Sequence, residues 1–160
     1  MNIHNEMNDQ LDQIAKKSAP PPHDMTFGMA NGTLECSIVA TDAIGCAVDR
    51  VHISLADHDR WDLPQMRKLA DQLCKQLRYL VEPLQVIEVD ADQPLIQARS
   101  QPPTQDAQKN STYYELLVAP QTITLRRFSA PRGEPRHPTA MHLTREVLCR
   151  LLQDMAAASA

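Results

Sequence analysis

Histidines and carboxylates could supply metal ligands or acid–base groups, and their spacing decides which. His52, Asp57, His58 and Asp59 cluster in the first half of the chain, and His137 and His142 follow far downstream. Zinc sites are recognised by tight, repeated ligand spacing, which this chain lacks. The Asp57-His58-Asp59 triplet is therefore expected to be a polar loop before a helix cap, with no metal bound. Glu88 and Asp90 would share a strand face, with Asp92 in the adjoining turn. A solvated hairpin tip is the expected setting, rather than a general acid–base or divalent-ion site.

Nucleophiles come next. Cys36, Cys46, Cys74 and Cys149 are scattered, lack CxxC spacing and sit in apolar-patterned segments. A reactive thiolate wants an electropositive, partly exposed setting, so buried free thiols in a reducing compartment are expected. There is no G-x-S-x-G elbow. The glycines Gly28, Gly32, Gly45 and Gly133 cannot compose a P-loop or a dinucleotide fingerprint. No catalytic motif and no cofactor follow from these residues.

The basic segment is the remaining candidate. Arg126, Arg127, Arg132, Arg136 and His137 span the last long strand and its following loop, and Tyr113 and Phe128 come close to them in the expected strand register. Arginine grips carboxylates and phosphates through two bonds at once, and aromatics beside it can stack on bases. These seven residues are the expected binding surface, for an acidic protein, a phosphorylated ligand or nucleic acid.

The elements that must position them emerge from patterning. The chain of 160 residues is 42% apolar but only 4% aromatic, so its core must be built mainly from Leu, Val and Ile. Its net charge of -4 is distributed unevenly: residues 1–60 hold nine acids against four bases, and residues 121–150 carry six arginines against Glu134 and Glu146. That overall sign argues against a chain built globally for nucleic acid. No apolar run is long enough to span a bilayer, and the polar N-terminus has no apolar signal core, so a cytoplasmic location is expected.

Three hairpins are expected. In the first, Leu34 pairs with Ile53 and Cys36 with Val51, while Glu35 faces His52 and Ser37 faces Arg50. A bulge must absorb the misfit of Ile38 against Asp49. The second joins Leu84–Val89 to Leu95–Ala98. The third, around Pro120-Gln121, pairs Val118 with Ile123, Leu116 with Leu125, Glu115 with Arg126 and Tyr113 with Phe128. A helix over 63–80 is announced by an Asp62/Gln65 capping box, a Trp61–Met66 staple and the stripe Met66, Leu69, Ala70, Leu73, Leu77 and Leu80. A final helix follows Thr144. Residues 100–111, with Pro102 and Pro103, and 130–140 are expected to be loops.

The expected fold is α+β: a two-layer sandwich with an antiparallel sheet of about six strands and two helices on one face. Residues 1–32 are expected to form a flexible arm around a short helix near Asn8–Lys17, 33–156 a single domain, and 157–160 a frayed end. Val39, Val48, Leu117, Tyr113 and Phe128 make the expected polar face unusually apolar, which suggests cover by a second copy or a partner. The functional expectation is a non-catalytic protein-interaction module: an adaptor, small chaperone or regulatory subunit with a protein partner or as a homodimer, away from membranes. Its general profile is similar to that of small acidic α/β chaperones of secretion systems, with no shared motif. The alternative is an anion-binding domain using the segment from Arg126 to His137.

Overall fold

The computed structural model describes residues 2–101, 103–105 and 107–160. In chain order the elements are α1 (Ile3–Ala15), β1 (His23–Met29), β2 (Gly32–Thr41), β3 (Gly45–Leu55), α2 (Leu63–Gln76), a 3-10 turn (Leu77–Leu80), β4 (Leu84–Asp90), β5 (Leu95–Ser100), β6 (Thr104–Gln105), β7 (Ser111–Val118), β8 (Thr122–Ala130), β9 (His137–Thr139), β10 (Met141–Thr144) and α3 (Arg145–Ser159). Among the described residues the sheet has ten strands in the order β1-β2-β3-β8-β7-β5-β4, with β6 on β7, β9 on β8 and β10 on β3. The class is α+β, but the sheet exceeds the six strands expected, and α1 is a helix of 13 residues where only a short one was expected.

The expected registers of the first and third hairpins are those observed. Leu34 pairs with Ile53, Cys36 with Val51, Glu35 with His52 and Ser37 with Arg50. Val118 pairs with Ile123, Leu116 with Leu125, Glu115 with Arg126 and Tyr113 with Phe128. A bulge at Ile38 makes Val48 its partner in place of Asp49. That shift turns Val48 into the core, where it is fully buried, so it does not belong to the polar face. Gly32 starts β2 against the end of β3 so closely that a Cβ there would lie 2.1 Å from the Ser54 carbonyl oxygen. Only glycine permits that approach.

The helices form where their caps announce them. The Asp62 side chain accepts from the Gln65 N–H and the Gln65 side-chain oxygen accepts from the Asp62 N–H, both at 2.8 Å, closing the capping box of α2. Thr144 caps α3 by accepting from the Val147 N–H. Met66, Leu69, Leu73 and Leu77 are buried in the common core, which also takes in Leu148, Leu151, Leu152 and Met155 of α3.

Three expectations need correction. Residues 1–32 are not a loose arm: Ile3, Met7, Leu11 and Ile14 stand three or four apart on α1 and are buried, and β1 pairs along its whole length with β2. A helix expected from Asn8 onward saw only half of that stripe. Residues 157–160 do not simply fray, because α3 runs to Ser159, which is buried and bonded to Met155 and Asn31. Segment 130–140 is not only loop. β3 and β8 pair over Arg50–Ser54 and Thr122–Arg126, and then separate. β9 pairs with β8 and β10 with β3, so residues 137–144 fill the opening seam. Pro102 of the loop expected over 100–111 lies outside the described residues; within that loop, β6 pairs with β7.

Candidate functional site

Directly paired residues on neighbouring antiparallel strands share a sheet face, so a row can be followed from strand to strand. Asp24, Ser37, Arg50, Arg126, Glu115, Arg99 and Gln85 form one such row from β1 to β4. They lie on the face opposite the apolar core. Arg50 and Arg126 stand side by side, and each like charge is relieved locally: Arg50 reaches Glu35 at 3.6 Å, and Arg126 bonds both Asp49 carboxylate oxygens at 3.1 and 3.2 Å.

Glu115 is the hub of this face. It is only 3% exposed and accepts from Arg136 and from Gln97, the latter at 2.7 Å, with Arg99 at 3.8 Å. Its bond to Arg136 is the main reason the guanidinium pKa rises above its ordinary value. Beside it Tyr113 and Phe128 stack with centroids 6.1 Å apart. Arg99 lies 4.7 Å over the Tyr113 ring, and Arg136 lies 4.0 Å over the Phe128 ring. These arginines cover the aromatics that the expected polar face left bare. Within a single chain, Tyr113 is already buried.

The seven candidate residues therefore divide. Tyr113, Phe128, Arg126 and Arg136 come together on one face. Arg127 points the other way, pairing with Glu82, donating to the Thr112 hydroxyl at 2.8 Å and lying 4.5 Å over Tyr114. His137 is exposed on β9 opposite Ser129. Arg132 is exposed and makes no ion pair among the described residues. With Lys109, Gln105 and Ser111 it borders a hollow of about 530 Å³. The hub Glu115, its neighbour Arg99 and the carboxylate of Asp49 were not among the candidates. Register brought Glu115 next to Arg126, but the partners actually chosen lie on a bulge and beyond a loop.

Burial raises the pKa of all four thiols, that of Cys74 to about 11, so they stay protonated near neutrality. All four are free. His52 is pushed below its ordinary pKa by burial and then by Arg50, and its Nδ1 lies 2.8 Å from the Thr124 hydroxyl. Among the described residues no group of three or more His, Cys, Asp or Glu could hold a metal ion. Nor is any helix among them long and apolar enough to cross a membrane. A hollow of about 890 Å³ lies between α1, the start of α3 and Tyr79. Its cations are committed: Arg145 to Asp12 and the Asp42 carbonyl, Arg150 to the Tyr79 ring.

The two edges of the sheet differ. At β1, the Gln10 side chain of α1 donates to the Thr26 carbonyl at 3.1 Å and accepts from the Thr26 N–H at 3.2 Å, standing in for a further strand. β4 ends the other side of the sheet with no strand beyond it among the described residues. Around it Val81, Val86, Ile87 and Leu95 are exposed by 87, 37, 43 and 39%. Comparison with models of protein families, with curated proteins and with solved structures finds no match to this chain.

Proposed function

We propose that this chain is a non-catalytic protein-interaction module: an adaptor, small chaperone or regulatory subunit. In this reading it is one α+β domain in two layers, with helices on one sheet face, and it works in the cytoplasm, where its free thiols stay reduced. The observation that carries the reading is the β4 edge, where no strand among the described residues covers an apolar strand, while the opposite edge is closed by Gln10. Exposed edges with apolar side chains are templates for pairing with another chain. The commitment of Arg126, Arg127 and Arg136 to internal carboxylates supports the same reading, since it leaves them little call for an external anion.

The test is the mass of the tagged chain recovered from its own cells by native mass spectrometry. The expected result is an assembly heavier than the 18.0 kDa chain, lost in Ile87→Lys. Recovery only as a free chain would overturn the reading.

Anion binding is the second reading, favoured by the hollow that Arg132 and Lys109 border. Titration with inorganic phosphate and a single-stranded oligonucleotide, at low and moderate salt, tests it. Salt-sensitive binding abolished in Lys109→Ala/Arg132→Ala would favour it over the module. Absence of binding would remove it.

A further inference from the structure

We infer that a second copy of this chain occupies the β4 edge, the two β4 strands running antiparallel about a two-fold axis. This rests on the interaction-module reading and names the partner.

The first ground is the way the core runs out at this edge. Leu84, Val86 and Val89 share the core face through their partners Ser100, Ala98 and Ile96. Ala98 and Ile96 are buried, yet Val86, one strand further out, is more than a third exposed. A strand laid along β4 would cover it and continue the apolar layer.

The second ground is self-complementarity. The bulge between Val86 and Glu88 leaves Ile87 without a partner on β5, and it keeps Glu88, like Gln85, on the polar face. An axis through the Val86–Ile87 peptide sets Leu84 of each copy opposite Val89 of the other, Gln85 opposite Glu88 and Val86 opposite Ile87. Leu84 and Val89 of the core face meet each other, Gln85 and Glu88 of the polar face meet each other, and two apolar side chains meet at the axis, with no carboxylate facing its own counterpart. Centring on Ile87 instead would set Leu84 against Asp90 and Gln85 against Val89, which mixes the faces.

The third ground is charge. Near the start of β4 stands Arg78, which borders one hollow with Leu84 and Gln85, and towards its far end stand Glu88 and Asp92, all exposed and none in an ion pair among the described residues. Antiparallel pairing brings the basic start of each copy to the acidic end of the other, twice by symmetry. A parallel arrangement would stack like on like. An edge bulge and an acidic residue are also devices that keep monomers apart, and the experiment separates the two uses.

Sedimentation equilibrium of the 160-residue chain is expected to give twice the 18.0 kDa mass. Ile87→Lys, at an exposed position, is expected to weaken self-association at least about tenfold with an unchanged circular dichroism spectrum. Arg78→Glu is expected to weaken it as well, and Arg78→Glu/Asp92→Arg to recover it. A wild-type monomer at every concentration would overturn the inference, as would a dimer indifferent to Ile87→Lys and to the charge exchange. A purified monomer whose Ile87→Lys variant still loses a larger assembly in cells would remove the second copy while leaving the interaction module standing.

Discussion

The Tyr79 hydroxyl, in the turn after α2, donates to Asp154 of α3 at 2.8 Å, and Arg150 lies 4.4 Å over the Tyr79 ring. One side chain thus joins two helices that lie 75 positions apart in the chain. Burial, then the bond to Asp154, raises the Tyr79 phenol above its ordinary pKa of 10.0. Such a group stabilises the fold fully below the unfolded pKa and loses that contribution as pH rises beyond it. Tyr79→Phe is expected to cost about 1–2 kcal/mol in denaturant melts at neutral pH. It should also reduce the alkaline loss of stability above about pH 10. A variant as stable as the parent at both pH values would show the bond to be idle.

Leu73 is fully buried at the centre of the α2 stripe. Leu73→Ala should cost about 2–5 kcal/mol, the range for large-to-small core changes. A thermal melt without loss would contradict the placing of that face.

Two arginines near each other in sequence should respond differently. Arg132→Ala should leave the melting temperature nearly unchanged, since exposed charges contribute little. Arg136→Ala uncovers Phe128 and leaves the buried Glu115 short of its main partner, so a loss of about 1–3 kcal/mol is expected. Equal melting temperatures for the two variants would remove Glu115 from its role as hub.

At acid pH the relevant group is His52, whose pKa is lowered by burial and by Arg50. The unfolded chain then binds the proton more readily, so stability present above about pH 6.5 declines as pH falls through that value towards the lowered one. In His52→Gln that part of the acid decline should vanish. Matching stability–pH curves for parent and variant between pH 7 and 5 would refute it.

Local pattern carried most of the sheet. The pairings of Leu34 with Ile53 and of Tyr113 with Phe128 followed from alternation on both sides of a short turn, and the Asp62/Gln65 box placed the start of α2 at Leu63, although the α-helix ends at Gln76 and the last turn expected, Leu77–Leu80, is 3-10. What escaped depends on distance. β9 and β10 are short and fill a gap that exists only after β3 and β8 diverge, so nothing in His137–Thr144 alone announces them. Arg136 lies in a proline-broken segment, and its place over Phe128 and beside Glu115 is a product of that same gap. Arg127 shows the converse: neighbours in sequence on a strand point to opposite faces, so the run of basic residues divides between two environments.

The splice of residues 137–144 into the seam has a consequence for synthesis. β3 finds one of its flanking partners only when β10 has left the ribosome, and α1 gains Arg145 as partner to Asp12 across 133 positions. Asn31 likewise waits for the carbonyl of Ser159, 128 positions later. The nascent chain must therefore carry an unfinished sheet with a vacant slot through most of its elongation. Contacts of such high order slow folding and lengthen exposure of unpaired strands. Messages cut short before the codon for Thr144 should yield chains bound by holdase chaperones or degraded, rather than a smaller stable fold.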